Sequence, residues 1–269
     1  MASLTEISAQ QLARLIGTPD CPRIIDVRTD EDFNACPFLI PGAQRLYHSI
    51  AAQESSFAPG QSVVVICHKG LKLSQGVAAQ LRCRGLRAET LRGGMVGWQE
   101  AKLASLNTEV LPALARGEST CWVSRQRPKV DRVACPWLIR RFVDPRAQFL
   151  FVSGSQVQAV AERFDAIAFD VEGAFWGHRG EYCSFDAFLQ GLELQVDALS
   201  HLSLIVRAAD TDRPELVPEA AGLLAVSLGL SRLHKDDLTQ LEAGFTVYDA
   251  LYRWARDATD ERHAWPHPK

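Results

Sequence analysis

Short apolar runs alternate with helical patterns along the first hundred residues of the chain. Residues 23–27 and 62–67 are compact aliphatic runs, which predict buried strands of a parallel sheet. A helix is predicted to begin near Ser74 and to end at Gly85, and residues 86–91 predict the next strand. Strands that alternate with helices over this length predict an α/β fold, in which a parallel sheet is flanked by helices.

The helical and strand patterns weaken in the middle of the chain, where Pro112 and Gly117 interrupt them. A chain of 269 residues is long for one compact domain and comfortable for two. We therefore expect residues 107–119 to be a linker that joins a first domain, residues 1–106, to a second domain, residues 120–269.

The second domain is predicted to be α+β, with a small mixed sheet followed by a helical bundle. The pattern indicates these elements in chain order: a strand at 120–124, a helix at 130–142, a strand at 148–152, a helix at 156–164 and a strand at 166–171. From Ser184 onward the pattern is helical almost throughout, with helices expected at 214–228 and 235–258. The terminal HAWPHPK is expected to be a frayed tail.

The composition of the chain indicates which binding partners and which cellular compartment to expect. Apolar residues make up 47% of the chain and charged residues 23%, which is the profile of a globular protein. The formal net charge of −3 gives no general attraction to nucleic acid or to an anionic membrane. No apolar run is long enough to span a membrane, and the first residues lack a signal-peptide pattern. We therefore expect a cytoplasmic protein with no membrane partner, and nucleic acid is disfavoured.

The cysteines fit the same compartment, because their number is odd and no CxxC occurs. They stand at seven separate positions: Cys21, Cys36, Cys67, Cys83, Cys121, Cys135 and Cys183. Neither a disulfide framework nor a zinc ribbon is indicated. Most of these thiols are expected to be buried and to act as small hydrophobic residues. A reactive thiol must therefore be identified from its surroundings.

Cys67 is the strongest candidate for a reactive thiol. It ends the clearest strand of the chain, and a short loop then leads directly into a helix. Ligand sites of parallel sheets lie beyond the carboxyl ends of the strands, and a helix N-terminus stabilises an anionic sulfur. The loop comprises His68, Lys69, Gly70, Leu71 and Lys72, which add positive charge and one flexible position. A buried structural cysteine followed by a basic turn is the alternative.

Three ordered segments around Cys67 resemble the rhodanese family of sulfurtransferases. They are Ile-Asp-Val-Arg at 25–28 with Pro-Gly at 41–42, the six-residue loop at 67–72, and Gly-Gly-Met-Val-Gly-Trp at 93–98. The resemblance implies an α/β rhodanese fold in which Cys67 carries sulfur as a persulfide and needs no cofactor. Two departures are Lys72 and Leu73, where the family usually has Arg and then Ser or Thr. They weaken the case for thiosulfate as the donor, because lysine lacks the planar fork of arginine.

Two residues near the first of these segments are expected to have a structural role. Asp26 and Arg28 are predicted to brace the strand end and the loop, because Asp–Arg pairs hold such positions through charge-assisted hydrogen bonds.

Basic side chains are crowded at the start of a predicted helix in the second domain. Arg127, Lys129 and Arg132 stand in the segment RPKVDR, with further arginines at 140 and 141. Basic groups at a helix N-terminus describe an oxyanion site. A solvated basic face is the alternative, and one patch on an acidic protein gives little support for nucleic-acid binding.

Further along the second domain stand polar residues whose side chains can bind a metal ion. Candidate metal ligands are Glu172, His178, Cys183 and Asp210. Imidazole, thiolate and carboxylate groups can together hold a divalent metal. No HExxH or paired CxxC is present, so a hydrogen-bonded loop network is the alternative.

The second domain resembles the C-terminal domain of the ChrB chromate-resistance family. The resemblance rests on RPKVDRVACPWLIRRFVDP, FDVEG, HRGEYCSFD and AADTD. It implies an anion-handling or metal-dependent domain, with chromate or a related oxyanion as a partner. The residues that match these motifs are Arg127, Lys129, Asp131, Arg132, Cys135, His178, Cys183 and Asp210.

These observations favour a sulfurtransferase that carries sulfane sulfur on Cys67 and acts on a small sulfur-containing substrate. Cys135 or Cys183 would be a resolving thiol only if the two domains face each other. Two alternatives remain open. One is a cytoplasmic regulator that responds to chromate or to redox state, although no helix-turn-helix signature supports DNA contact. The other is a metal-dependent enzyme in the second domain, with the first domain as its accessory.

Overall fold

The computed structural model describes residues 5–54 and 56–261, so the expected frayed tail lies outside the described residues. The strands are β1 (Glu6–Ile7), β2 (Arg23–Asp26), β3 (Phe38–Leu39), β4 (Ala43–Arg45), β5 (Ser62–Ile66), β6 (Arg87–Leu91), β7 (Leu106–Asn107), β8 (Cys121–Arg125), β9 (Gln148–Val152) and β10 (Ile167–Ala168). The helices of the first half are α1 (Ala9–Leu15), α2 (Asp30–Asn34), α3 (His48–Ala51), α4 (Lys72–Cys83), α5 (Gly94–Glu100) and α6 (Pro112–Ala115). Those of the second half are α7 (Asp131–Leu138), α8 (Val157–Phe164), α9 (Ser184–Gly191), α10 (Asp197–Asp210), α11 (Glu219–Leu233) and α12 (Asp237–Asp257).

The first domain is built on a five-stranded parallel sheet in the order β1-β6-β5-β2-β4. This confirms the predicted α/β fold, with helices flanking a parallel sheet. β5 lies in the centre, and its alternate side chains enter two hydrophobic clusters. Val64 and Ile66 join the larger cluster, whereas Val63, Val65 and Cys67 join the smaller one. Cys67 therefore lies on the face of the sheet that α4 covers.

Helix α4 begins two residues earlier than the sequence pattern predicts. Ser74 resembles an N-cap in the sequence, but it lies in the first turn and its hydroxyl donates to the carbonyl oxygen of Leu71 at 3.1 Å. Leu71 is the N-cap residue, and its side chain makes no capping hydrogen bond. The N-terminus of α4 therefore begins inside the loop that follows Cys67.

The expected linker, residues 107–119, forms regular structure against the first domain. Its first residue belongs to β7, which pairs antiparallel with β3. The hydroxyl of Thr108 donates to the carbonyl oxygen of Pro37 at 2.8 Å, and Arg45 donates to that of Ala115 at 2.7 Å. Contacts of this kind hold the connection in one conformation.

The second domain has a three-stranded sheet in the order β10-β8-β9, followed by packed helices. Both strand pairs are parallel, so the predicted mixed sheet is wrong. The physical reason is the connection between strands. Helical segments lie between β8 and β9 and between β9 and β10, and such crossovers return the chain in the same direction.

Two predicted helices are interrupted where proline stands. In residues 130–142, α7 is followed by a π-helix (Ile139–Val143), because Pro136 lacks the N–H that would bond one turn back. In residues 214–228, a 3-10 turn (Pro214–Leu216) is separated from α11, because Pro218 disfavours helix at the residue before it. The third predicted strand is also shorter than expected, since β10 ends at Ala168.

The larger hydrophobic cluster extends through both halves of the chain. It includes Trp98 from the first domain and Trp137 and Phe142 from the second. At Gly17, which has a positive φ of 80°, a Cβ atom would overlap the ring of Phe142. The backbone N–H of Gly42 donates to the carbonyl oxygen of Phe142 at 2.6 Å. The two domains are thus joined by a shared core. No helix among residues 5–54 and 56–261 is both long and apolar enough to cross a membrane.

Candidate functional site

Cys67 follows β5 at the carboxyl end of the central strand, and only 5% of its surface is exposed. Its sulfur lies 3.2 Å from the hydroxyl oxygen of Ser74, in the first turn of α4. The carbonyl oxygen of Cys67 accepts from the N–H of Met95 at 3.0 Å, and that of His68 accepts from Val96 at 3.1 Å. The loop after the cysteine is therefore held against the start of α5.

Close backbone packing fixes the same loop. Gly70 has a positive φ of 70°, and a Cβ atom there would lie 2.5 Å from the carbonyl oxygen of Leu91. At Gly94, with φ 59°, a Cβ atom would overlap the carbonyl oxygen of Cys67. Only glycine allows two backbones to approach this closely. The Gly-Gly pair at the start of α5 thus shapes the loop around the cysteine.

The loop after Cys67 carries basic and apolar side chains. Lys69, Leu71 and Lys72 are exposed, whereas His68 is partly buried. The Nδ1 atom of His68 is buried and has no hydrogen-bond partner among the described residues. Because the first N–H groups of a helix lack acceptors within it, the start of α4 directs donors and a positive dipole end at the loop. The arrangement suits a thiolate or a persulfide.

The predicted Asp26–Arg28 pair forms, and it braces the end of β2. Both side chains are buried, and the guanidinium donates to Oδ2 of Asp26 at 2.6 Å from Nη2 and 2.8 Å from Nε, and to Oδ1 at 3.1 Å from Nε. Arg28 also donates to the carbonyl oxygens of Cys36 and Phe38. The pair ties the end of β2 to the segment before β3.

A second polar site lies in the second domain, around the imidazole of His178. The Nε2 atom of His178 lies 3.1 Å from Oδ2 of Asp210, 3.2 Å from Oδ2 of Asp131 and 3.4 Å from Oδ1 of Asp170. The ligand atoms of Asp131, Asp170 and His178 all lie within 4.8 Å of one another. We call His178, Asp131, Asp170 and Asp210 the His–Asp cluster.

The elements that carry the His–Asp cluster have strained backbone at two points. Asp131 begins α7 directly after Val130, which has a positive φ of 41°, and Asp170 has a positive φ of 50°. A β-branched residue in this region is a true outlier, and such strain persists only where surrounding contacts impose it. At Val130 the contacts are its N–H to the hydroxyl of Ser227 at 2.8 Å and the hydroxyl of Tyr248 to its carbonyl at 2.6 Å.

Hydrogen bonds from outside fix the carboxylates. The N–H of Ser184 donates to Asp131 at 3.1 Å, and its hydroxyl donates to Asp170 at 2.9 Å. Arg132 and Arg125 form ion pairs with Asp170 at 3.0 and 3.2 Å. The N-terminus of α9 and two arginines thus orient the carboxylates that face His178.

Burial and mutual repulsion shift the protonation of the His–Asp cluster. Burial, together with the charges of Asp170 and Asp210, raises the pKa of Asp131 to about 7. Hydrogen bonds to the carboxylates of Asp131, Asp170 and Asp210 raise the pKa of His178 to about 12. Burial opposes ionisation of Asp170, but its hydrogen bonds from His178 and Ser184 and the two arginines leave its pKa lowered. The cluster therefore strongly attracts positive charge.

Two of the four candidate metal ligands belong to the His–Asp cluster, namely His178 and Asp210. Glu172 instead lines an open cavity of about 620 Å³ beside the cluster, together with Arg125. The thiol of Cys183 is buried, and its sulfur lies 3.4 Å from a carboxylate oxygen of Asp186. Asp131 and Asp170 are not among those four candidate ligands, although Asp170 stands in the same polar segment of the sequence and Asp131 in a motif of the resemblance. Asp131 begins α7, Asp170 follows β10, and both are buried. The apolar residues around them in the sequence make it hard to recognise these aspartates as ligands.

The basic candidates for anion binding have different surroundings. Arg127 donates to the carbonyl oxygens of Ser231 and His234, so it ties its loop to the end of α11. Arg132 contacts Asp170, and the side chain of Lys129 is partly buried. The structure therefore separates Arg127 from Arg132 and joins Arg132 to the His–Asp cluster.

The buried thiols of the second domain do not meet Cys67 in one cluster. Cys135 and Cys183 belong to the larger hydrophobic cluster, and Cys67 belongs to the smaller one. Burial raises the pKa of both the Cys135 and the Cys183 thiols. Neither thiol has the exposure or the surroundings of a resolving cysteine.

Two family comparisons agree with this architecture. Residues 8–101 match the rhodanese-like domain family, and residues 122–255 match the family described as ChrB, C-terminal domain. The chain therefore contains a rhodanese-like domain joined to the C-terminal domain of ChrB, a chromate-resistance family. A similar protein is Protein ChrB of Cupriavidus metallidurans, which is 41% identical over 133 residues. That alignment covers 49% of this chain and 39% of the relative, so the chain spans well under half of the relative's length.

Several solved structures are similar to part of the chain. A rhodanese-like domain protein from Staphylococcus aureus is 28% identical, with a TM-score of 0.31 over 35% of this chain and 90% of its own. A rhodanese-related protein from Thermoplasma volcanium is 19% identical, with a TM-score of 0.33 over 38% of this chain and 97% of its own. A thiosulfate sulfurtransferase from Pseudomonas aeruginosa is 24% identical, with a TM-score of 0.33 over 38% of this chain and 19% of its own. The assignment of the first domain rests on its own sheet order and on the family match.

Proposed function

We propose that this protein is a sulfurtransferase that carries sulfane sulfur on Cys67. The observation that carries the proposal is the position of the Cys67 sulfur. It lies at the carboxyl end of the central strand and 3.2 Å from a hydroxyl in the first turn of α4. Donors directed at that point stabilise a thiolate and then a persulfide anion.

The transfer proceeds in two balanced steps. The Cys67 thiolate attacks the outer sulfur of a donor, so a new sulfur–sulfur bond forms and the donor's own bond to that sulfur breaks. The electron pair leaves with the rest of the donor, which is sulfite when thiosulfate is used. An acceptor nucleophile such as cyanide or a thiolate then takes the outer sulfur and regenerates the Cys67 thiolate. No metal or cofactor enters either step.

The loop favours donors other than thiosulfate. Lys72 is exposed at the first position of α4, and Leu71 and Leu73 flank it. A lysine supplies charge but cannot grip a sulfonate in bidentate fashion. Small persulfides or polysulfides, which present one charged sulfur and little else, therefore suit this site better than thiosulfate.

The second domain connects this chemistry with oxyanion response. The relative that matches it is named Protein ChrB, and the motifs shared with the chromate-resistance family lie around the His–Asp cluster. We propose chromate, or a related oxyanion, as the small molecule to which the whole protein responds. A cytoplasmic location suits the proposal, because all seven cysteines are free and a reducing compartment keeps Cys67 reactive.

The test is sulfur uptake measured by intact mass. Wild-type protein is incubated with thiosulfate, mercaptopyruvate or a polysulfide, and the mass is expected to rise by one sulfur atom with at least one donor. Cys67→Ser is expected to lose this gain, whereas Cys83→Ser keeps it, since Cys83 is an exposed thiol on α4. No sulfur on the wild-type protein with any donor, or equal uptake by Cys67→Ser, would overturn the proposal.

A further inference from the structure

We propose that the His–Asp cluster is a binding site for one divalent cation, held by Nε2 of His178 and by the carboxylates of Asp131, Asp170 and Asp210. This inference concerns the second domain and does not depend on the chemistry of Cys67. Imidazole nitrogen and several carboxylate oxygens together suit Mn²⁺, Fe²⁺ or Zn²⁺. Two of these ligands, His178 and Asp210, were metal candidates from the sequence. The structure adds Asp131 and Asp170.

The distances within the cluster are those between ligands of one metal ion. Nε2 of His178 lies 3.1, 3.2 and 3.4 Å from oxygens of Asp210, Asp131 and Asp170. Ligands bound at about 2.1 Å lie about 3.0 Å apart at octahedral angles and about 3.4 Å apart at tetrahedral angles. All three distances fall in this interval. Because carboxylates repel one another, positive charge at this point would stabilise their close approach.

The charge balance of the cluster points independently to a cation. Asp170 has ion pairs with Arg125 and Arg132. Among the residues that the structure describes, the carboxylates of Asp131 and Asp210 have only His178 as an ion-pair partner. The side chain of Asp131 is just 2% exposed, so water cannot compensate for its charge. A divalent cation between these carboxylates would supply the positive charge that offsets them.

The surroundings supply the outer contacts that metal ligands need. The N–H and hydroxyl of Ser184 fix Asp131 and Asp170, and Arg132 holds the second oxygen of Asp170. Outer hydrogen bonds of this kind orient ligands and set their affinity. The hydroxyl of Ser124, one residue before Arg125 in β8, is buried and has no hydrogen-bond partner in the described part of the chain. An unpartnered buried hydroxyl in the strand that also carries Arg125 is a candidate partner for a bound water.

The cluster is also accessible from one side. Asp170 and His178 both line the cavity of about 620 Å³, and the side chain of His178 is 41% exposed. A cation held there would keep a coordination position directed toward the cavity, as catalytic metal sites do. Arg125, in the wall of the same cavity, would favour an anionic small molecule as the outer ligand.

The experiment uses Mn²⁺ alone as the probe, because Mn²⁺ prefers oxygen ligands and competes little for the free thiols. The full chain is treated with a chelator and desalted, and Mn²⁺ binding is followed by the loss of the free-ion EPR signal. We expect one Mn²⁺ per chain and a higher temperature of thermal unfolding with the metal. Pulsed EPR of the bound ion is expected to show coupling to one imidazole nitrogen.

Variants separate the four ligands from their neighbours. His178→Gln and Asp210→Asn are expected to weaken Mn²⁺ binding by at least about tenfold, the loss produced even by removal of an outer partner. The matched control Glu172→Gln changes a carboxylate of the cavity wall and keeps the wild-type affinity. Cys67→Ser also keeps it, so failure of this proposal is distinguishable from failure of the sulfur-transfer proposal.

Three results would overturn the cation site. They are the absence of Mn²⁺ binding by the wild-type chain, equal binding by His178→Gln and Asp210→Asn when circular dichroism shows both folded, and bound Mn²⁺ without nitrogen coupling. The last measurement needs only the wild-type protein, so it decides the question even where a variant fails to fold.

Discussion

The hydroxyl oxygen of Ser74 lies 3.2 Å from the sulfur of Cys67. A serine hydroxyl has one proton, which it donates to the carbonyl oxygen of Leu71 at 3.1 Å. When Cys67 is ionised, the same proton can turn to the sulfur, because a hydrogen bond to a charged acceptor is the stronger one. We therefore expect Ser74 to position the Cys67 sulfur for the proposed sulfur transfer. The shift of the serine by one position relative to the usual rhodanese loop leaves this contact in place.

Replacing Ser74 tests the contact. Ser74→Ala is expected to lower the rates of alkylation and of persulfide formation at Cys67 by about tenfold or more, since a hydrogen bond to a charged group contributes about 1.5–3 kcal/mol. Iodoacetamide labelling at fixed pH, followed by mass spectrometry, measures the first rate. Ser200→Ala, on the exposed side of α10, is the control and leaves both rates unchanged. Equal rates in the Ser74 variant would show that the hydroxyl does not assist the sulfur.

The Asp26–Arg28 pair is expected to contribute strongly to stability. Arg28→Ala leaves the Asp26 carboxylate buried without its cation, which costs about 3–5 kcal/mol in the free energy of unfolding. Urea denaturation of the full chain measures this loss. Arg116→Ala is the control, because the Arg116–Glu118 pair is exposed and water screens its attraction. A loss no larger than that of the control would contradict the bracing role.

Contact between the domains is expected to be tight at Gly17. Gly17→Ala places a methyl group in the ring of Phe142 and also strains a positive φ. Gly60→Ala strains a similar φ of 73° but meets nothing within 4 Å. Both variants lose about 1–2 kcal/mol from the backbone, and Gly17→Ala loses about 1–3 kcal/mol more through overpacking. Urea denaturation compares them, and equal losses would show that the domains separate freely at this point.

Cys21 is expected to make the protein less stable at alkaline pH. Burial raises the pKa of its thiol from 9.0 to about 12, against a small opposing effect of Arg141. Between these values the unfolded chain loses the proton and the folded chain keeps it, so the free energy of unfolding falls as pH rises. Cys21→Ala should reduce this slope by about 1.4 kcal/mol per pH unit. Urea denaturation at several pH values from 8 upward measures it, and an unchanged slope would contradict the assignment.

The sequence predicted the first domain well because its signals are local. Compact aliphatic runs such as residues 62–67 identify buried strands wherever they occur, and the alternation with helices implies a parallel sheet. Cys67 stood out because it ends such a run. The sequence misplaced the start of α4, since a serine that resembles an N-cap can also lie in the first turn.

The second domain was predicted less fully, because its features depend on contacts between distant segments. The interruptions at Pro136 and Pro218 could be anticipated from proline chemistry, but the direction of strand pairing could not. Asp131 and Asp170 are separated by thirty-nine positions in the sequence, and only the fold brings both to His178.

By itself, the sequence determined the parallel sheet of the first half and the thiol at its carboxyl edge, because apolar periodicity and chain order encode these features. Only the tertiary structure decided that the segment between the domains is packed and that Ser74 touches the sulfur of Cys67. It also decided which carboxylates surround His178. The physical reason is the range of the interactions. The periodicity of the sequence indicates which residues are buried. It does not show which distant residues meet, because ion pairs, ligand sets and domain contacts form only when folding brings separate segments together.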